Sequence, residues 1–147
     1  MAYRLTVRAA APWVPLALRR RARAGREDPA RLGERLGRPG RDRPAKPLVW
    51  FHAASVGELL SLLTLLQALP GDTPAFTPLV TTGTVTSAAL AAERLPATAI
   101  HQYAPVDLAV PVSRFLGYWR PALALRVESE LWPNQIEALR IAEIPML

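Results

Sequence analysis

The stretch LVWFHAASVGELLSLLTLLQAL, residues 48–69, decides the fold. Its first seven residues, Leu48 to Ala54, form an apolar run too short for a helix and bounded by Pro47, which reads as a buried strand. The run from Leu59 to Leu69 is Leu-rich and stops at Pro70-Gly71, which reads as a helix. Between them lies Ser55-Val56-Gly57-Glu58. The Ser55-x-x-Glu58 spacing is that of a capping box, in which the serine side chain accepts from a backbone N–H and the glutamate reaches back to a free one. A buried strand turning through such a box into an apolar helix is the first half of a βαβ unit.

The pattern repeats along the chain. Phe76 to Thr82 reads as a second strand, with Pro78 near its start, because proline cannot donate to a ladder. Gly83 to Thr86 is a turn offering Thr84 or Thr86 as cap for an Ala-rich helix that runs to Arg94. Ala99 to Tyr103, Leu108 to Trp119, Ala122 to Val127 and Trp132 to Ala142 then read as strand, helix, strand and helix, with Pro133 suited to a first helical turn. Glu143 to Leu147 reads as a helix exit turning into another strand, and so as a domain cut short. Strands and helices alternating at this spacing predict an α/β domain with a parallel, Rossmann-like sheet. Ligands in such sheets sit beyond the carboxyl ends of the strands, where Ser55 to Glu58, Thr81 to Thr86 and Glu128 to Glu130 fall. Neither G-x-G-x-x-G nor G-x-x-x-x-G-K-[ST] occurs, which disfavours dinucleotide and P-loop sites.

Charge divides the 147 residues unevenly. Residues 1–46 carry thirteen basic side chains against four acids, a net of +9, whereas the rest carries five arginines against eight acids, a net of −3. The division predicted is a basic N-terminal segment, 1–46, followed by the α/β domain, 47–147. Within the first segment the apolar stretch Ala9 to Leu18 spans only about 15 Å as a helix and contains Pro12 and Pro15, so it cannot cross a bilayer. It reads as an interfacial anchor whose arginines meet anionic headgroups, or as a solvated, partly disordered tail, with a short helix near Pro29 to Leu36. Basic residues here are not interleaved with aromatics, which argues against a nucleic-acid arm. With no cysteine there is no disulfide framework and no thiolate metal site, and two histidines far apart in sequence disfavour zinc.

Several segments together resemble one family: HAASVGE (52–58), TTGTVTSA (81–88), HQYAPVD (101–107), RFLGYWRP (114–121), ESELWPN (128–134) and the terminal IP (144–145). They occur in this order in 3-deoxy-D-manno-octulosonic acid (Kdo) transferases, and the resemblance covers about Arg31 to Leu147. It implies the N-terminal, acceptor-side half of a two-domain GT-B glycosyltransferase that transfers Kdo from CMP-Kdo to the lipid A precursor in lipopolysaccharide synthesis. It further implies inversion, no metal or other cofactor, no nucleic acid, and a peripheral place at the cytoplasmic face of the inner membrane. The donor-binding domain is expected to be missing and the chain alone to be inactive. By resemblance Glu58 is the general base and Glu128 stabilises the transition state. Ser55, Gly57, Thr82, Gly83, Thr84 and Glu130 are the expected substrate contacts. The residues themselves leave alternatives open: Glu58 as a cap only, Glu128 as a strand-end carboxylate paired with an arginine, Trp132 as a packing anchor, and His52 and His101 as satisfied core histidines. A non-catalytic module binding anionic lipid, or a GT-B enzyme with another donor, are the competing functions.

Overall fold

A computed structural model describes residues 11–68, 75–127 and 132–147. Four strands, β1 (Leu48–Ala53), β2 (Thr77–Thr82), β3 (Ile100–Tyr103) and β4 (Leu123–Arg126), form one all-parallel sheet in the order β3-β2-β1-β4. This is the Rossmann-like α/β arrangement that the alternation predicts. The helices are α1 (Val14–Arg23), α2 (Leu32–Arg35), α3 (Val56–Ala68), α4 (Val85–Arg94), α5 (Ala109–Trp119) and α6 (Pro133–Ile141).

Parallel strands are buried on both faces, so alternate residues feed two cores. Leu48, Trp50, Leu79 and Ala124 pack with Val112, Phe115, Leu116 and Trp119 of α5 and Leu139 of α6. Phe51, Ala53 and Val80 pack with Leu59, Leu62, Leu63 and Leu66 of α3 and Ala91 of α4. On α3 those four leucines stand at i, i+3, i+4 and i+7, the stripe that a 3.6-residue period turns to one side, while Leu60 and Leu65 stay exposed. Truncating one of the buried leucines to alanine costs about 2–5 kcal/mol. Trp50 and Phe115, with ring centroids 4.8 Å apart, pin α5 to the sheet centre.

Pro78 lies in an inner strand without breaking a ladder. Thr77 N donates to Pro47 O, so the next amide position faces β3, whose first paired residue, Ile100, stands opposite Leu79. The missing N–H therefore falls just before that ladder begins.

Residues 27–43 are not a solvated tail: they close the open edge of the sheet. The outward amide of Tyr103 donates to Glu34 Oε2 at 2.7 Å, Arg31 Nη2 donates to the His101 carbonyl at 3.3 Å, and Val106 N donates to Arg35 O at 2.9 Å. Side chains and one short helix thus occupy the place of a further strand, which removes the template an exposed edge presents. Arg43 Nε caps the last turn of α5 through the Trp119 carbonyl at 2.8 Å. Charge alone hides this, because an arginine that seals an edge and one that is solvated count the same. Upstream, Val14–Arg23 is helical although Pro15 stands there, since Pro15 occupies the first turn, where no intrahelical N–H is needed. At the opposite edge Ala124 bridges in parallel to Met146, the extended pairing predicted after α6. Helix α3 begins at Val56, so the SVGE turn is already its first turn.

Candidate functional site

The strand order reverses direction at β1: β2 and β3 build outward on one side, and β4 returns to the other. In open α/β sheets ligands bind beyond the carboxyl ends of the strands at such a reversal, which here falls between β1 and β4. Glu58 stands there, in the first turn of α3, and is largely buried. Glu58 N donates to Ser55 Oγ at 3.2 Å, and Glu58 Oε2 accepts from Ala54 N at 2.7 Å. The capping box therefore forms, with the carboxylate reaching one residue further back than Ser55. Among the described residues Glu58 Oε1 accepts no hydrogen bond.

Beside it lies a cleft of about 290 Å³ across the strand ends, lined by Arg35, His52, Gly83, Thr84, Asp107 and Trp132 together with the backbone-rich segment Ala104 to Val106 and Ala54. Gly83 belongs here for a steric reason: a Cβ would stand 3.2 Å from the Ala54 carbonyl, tightening the closest approach of the β1 and β2 exits. Thr84 caps α4 in a box with Ser87, accepting from Ser87 N at 3.1 Å while Ser87 Oγ accepts from Thr84 N at 3.3 Å. Thr82 is turned inward, fully buried with its hydroxyl 2.9 Å from His101 Nε2. Ser55 and Gly57 lie at the start of α3 outside the cleft wall. Glu128 and Glu130 lie outside the described residues, as does any pairing between them. Trp132, read from sequence as a packing anchor, is 37 % exposed and forms part of the wall.

Beneath the cleft the register assembles a polar row across the sheet: Gln102 opposite Thr81, Thr81 opposite His52, and His52 opposite Arg126. Thr81 Oγ1 accepts from Trp50 Nε1 at 2.8 Å and lies 2.9 Å from His52 Nδ1. Burial, helped by the nearby positive charge of Arg126, pushes the His52 pKa down to about 4, so the ring is neutral at pH 7. His101 is likewise pushed down to about 4, first by burial and then by Arg31. Arg31 Nη2 faces His101 Nδ1 at 3.2 Å and can only donate, which assigns the ring proton to Nε2 and its hydrogen bond to Thr82.

Asp107 is the residue that sequence reasoning passed over. Its Oδ2 accepts from Asn134 N at 3.2 Å and its Oδ1 from Gln135 N at 2.9 Å, while Asn134 Nδ2 returns to the Asp107 carbonyl at 2.7 Å. Trp132, at the N-cap position of α6, makes no side-chain cap. The cap comes instead from a residue 27 positions upstream, joining the HQYAPVD and ELWPN segments. No local spacing announces a cap supplied in this way. Among the described residues no three metal-ligating side chains cluster, and no helix is long and apolar enough to cross a membrane.

Residues 30–147 match the family model described as 3-deoxy-D-manno-octulosonic-acid transferase (kdotransferase). The chain is 36 % identical over 144 residues to the probable mitochondrial 3-deoxy-D-manno-octulosonic acid transferase of Arabidopsis thaliana, covering 98 % of this chain and 32 % of that protein. It is 36 % identical over 154 residues to the 3-deoxy-D-manno-octulosonic acid transferase of Bordetella pertussis, covering 98 % and 35 %. Against the enzyme of the same name from Rickettsia typhi it is 44 % identical over 89 residues, covering 60 % and 19 %. The chain thus spans about a third or less of the length of these relatives. On the strength of the matched segment and its parallel α/β sheet, this chain belongs to the 3-deoxy-D-manno-octulosonic acid transferase family.

Proposed function

We propose that this chain forms the acceptor side of an inverting, metal-independent Kdo transferase, which moves Kdo from CMP-Kdo to the lipid A precursor at the cytoplasmic face of the inner membrane. The acceptor hydroxyl oxygen attacks the anomeric carbon of Kdo. The bond from that carbon to the CMP phosphate oxygen breaks, CMP leaves with the bonding pair, and Glu58 takes the hydroxyl proton. Glu128 stabilises the charge that develops in the transition state. No cofactor takes part.

The observation that carries the reading is the position of Glu58, in the first turn of a 13-residue helix at the end of β1, next to the reversal of strand order. A helix N-terminus favours the ionised carboxylate, as a base working at neutral pH requires. Because Oε2 is held by the Ala54 amide, Oε1 is the oxygen left to receive the proton. Capping then fixes the base rather than competing with it.

The lipid character of the acceptor is supported by an apolar groove of about 540 Å³ between α1 and α5, walled by Val14, Pro15, Leu36 and Val110. Next to it Trp13 is 69 % exposed, and Arg19, Arg20, Arg21 and Arg23 follow on α1. Exposed apolar side chains beside arginines suit a surface resting on anionic headgroups. CMP-Kdo is assigned to the portion of the relatives' length that these residues do not match, so the 147-residue chain by itself is read as inactive. Kdo transfer by residues 1–147 alone would overturn that assignment.

The deciding experiment is Glu58→Gln in a two-domain transferase carrying this chain as its acceptor side. Glutamine keeps an oxygen for the Ala54 amide but cannot act as a base. Turnover should fall by about 10²–10⁴-fold with little change in thermal midpoint. Unchanged turnover would leave Glu58 as a cap only.

A further inference from the structure

Past their last paired residues, Ala53 with Thr82, the exits of β1 and β2 come together at Ala54 and Gly83. A Cβ on Gly83 would stand 3.2 Å from the Ala54 carbonyl oxygen and 3.8 Å from the Ala54 Cα, so one backbone would have to give by a few tenths of an ångström. Backbone conformation does not ask for glycine at this turn, because among the described residues the glycines with positive φ are Gly25 and Gly37. What position 83 reserves is space.

Which side would give follows from what holds each. Gly83 is flanked by Thr82, fully buried, whose carbonyl accepts from Ala104 N at 2.9 Å and whose hydroxyl lies 2.9 Å from His101 Nε2. On its other side Thr84 is locked in its box with Ser87. Ala54 is only half-buried and lies beyond the end of β1, and its N–H is the donor that holds Glu58 Oε2 at 2.7 Å. The carbonyl that would be pushed and the amide that holds the carboxylate share one Cα. A displacement at Gly83 therefore passes through Ala54 to Glu58.

We infer that Gly83 is a positioning residue for Glu58: the missing side chain sets where the Ala54 amide stands, and that amide sets the carboxylate. The link to Glu58 is a matter of packing alone, whereas its consequence for Kdo transfer rests on the reading of Glu58 as the base. With Oε2 moved, Oε1 is carried off the line to the acceptor hydroxyl. A misplacement of 1 Å costs about 10²-fold in rate, so a few tenths of an ångström cost about 3–10-fold.

The test has one arm that needs no turnover. In the 147-residue chain the Ala54 amide proton resonance should move upfield in Gly83→Ala, in the same direction as in Glu58→Gln, because a longer or weaker bond to the side chain deshields the proton less. Gly117→Ala, whose Cβ would meet nothing within 4 Å, should leave that resonance in place. In the two-domain transferase Gly83→Ala should lower kcat by about 3–10-fold with the acceptor KM unchanged. Placed in the Glu58→Gln background it should cost nothing further, since a residue that acts through another adds nothing once the other is gone. An Ala54 amide unmoved by Gly83→Ala, or an equal fall in kcat in both backgrounds, would overturn the inference. If Glu58→Gln itself left turnover unchanged, the reading of Glu58 as base would fall, and the amide resonance would still decide whether Gly83 positions the carboxylate.

Discussion

Replacing Asp107 by alanine should loosen α6 and the cleft wall attached to it. Of the first amides of α6, Pro133 has none to satisfy, and the next two, of Asn134 and Gln135, both donate to the Asp107 carboxylate. Both residues are buried, so the amides lose their acceptor without gaining bulk water. Hydrogen bonds to a charged group contribute about 1.5–3 kcal/mol each, and loss of a helix cap about 1 kcal/mol by itself. The two amide bonds at the lower end give about 3 kcal/mol; the Asn134 side chain also loses its bond to Oδ2 but keeps the one to the residue 107 carbonyl. For a chain of this size that corresponds to a fall of about 12 °C in thermal midpoint. Asp107→Asn, which retains one acceptor, should lose about half as much. Urea denaturation followed by far-UV circular dichroism gives the stability difference, and hydrogen exchange at the two amides gives its location. A loss under about 0.5 kcal/mol, or unchanged exchange at Asn134 and Gln135, would refute the argument that this carboxylate caps the helix across the fold.

Gly37 and Gly25 both have positive φ, 77° and 69°, but only at Gly37 would a Cβ run into the Pro111 carbonyl. Gly37→Ala should therefore cost well over 2 kcal/mol and Gly25→Ala about 1 kcal/mol, and equal losses in thermal melts would contradict the packing of this segment on α5. The neutral, buried His52 makes folding sensitive to acid. Because its folded pKa of about 4 lies below the ordinary 6.5, the unfolded state binds the proton first, and stability falls as pH drops from about 6.5 towards 4. The full loss is about 3 kcal/mol, and the part above pH 5 is separable from carboxylate titration. His52→Gln should reduce that limb by about half, because His101, pushed down to about the same value, supplies the rest, and an unaltered pH profile of the denaturation midpoint would count against it. Glu34→Ala should cost about 3 kcal/mol or more, since it removes the acceptor of the buried Tyr103 amide and leaves Arg31 without its carboxylate. A change below about 1 kcal/mol in urea titration would mean that the sheet edge is held otherwise.

Local chemistry made much of the molecule legible. The four strands and four long helices from Leu48 onward follow from short apolar runs, 3.6-residue stripes and their punctuation, all of which act within one turn or one strand. The Thr84 cap and the Ser55–Glu58 box were legible for the same reason, as side chains meeting amides three or four residues away. Helix α1 was not, because Pro15 reads as an interruption unless it is known to stand in the first turn.

The sequence by itself determined the alternation of strand and helix, hence a parallel sheet buried on both faces, and the carboxyl-end location of its polar turns. Only the tertiary structure decided that β4 returns beside β1, which puts the reversal of strand order next to the β1 end where Glu58 stands, because no residue pattern within a strand specifies its neighbour. It also decided that Glu34 and Arg31 close the β3 edge, that Asp107 caps α6, and that Arg35 and His52 line the same cleft. Each of these joins groups many residues apart, and their energies depend on burial that exists only once the chain has folded.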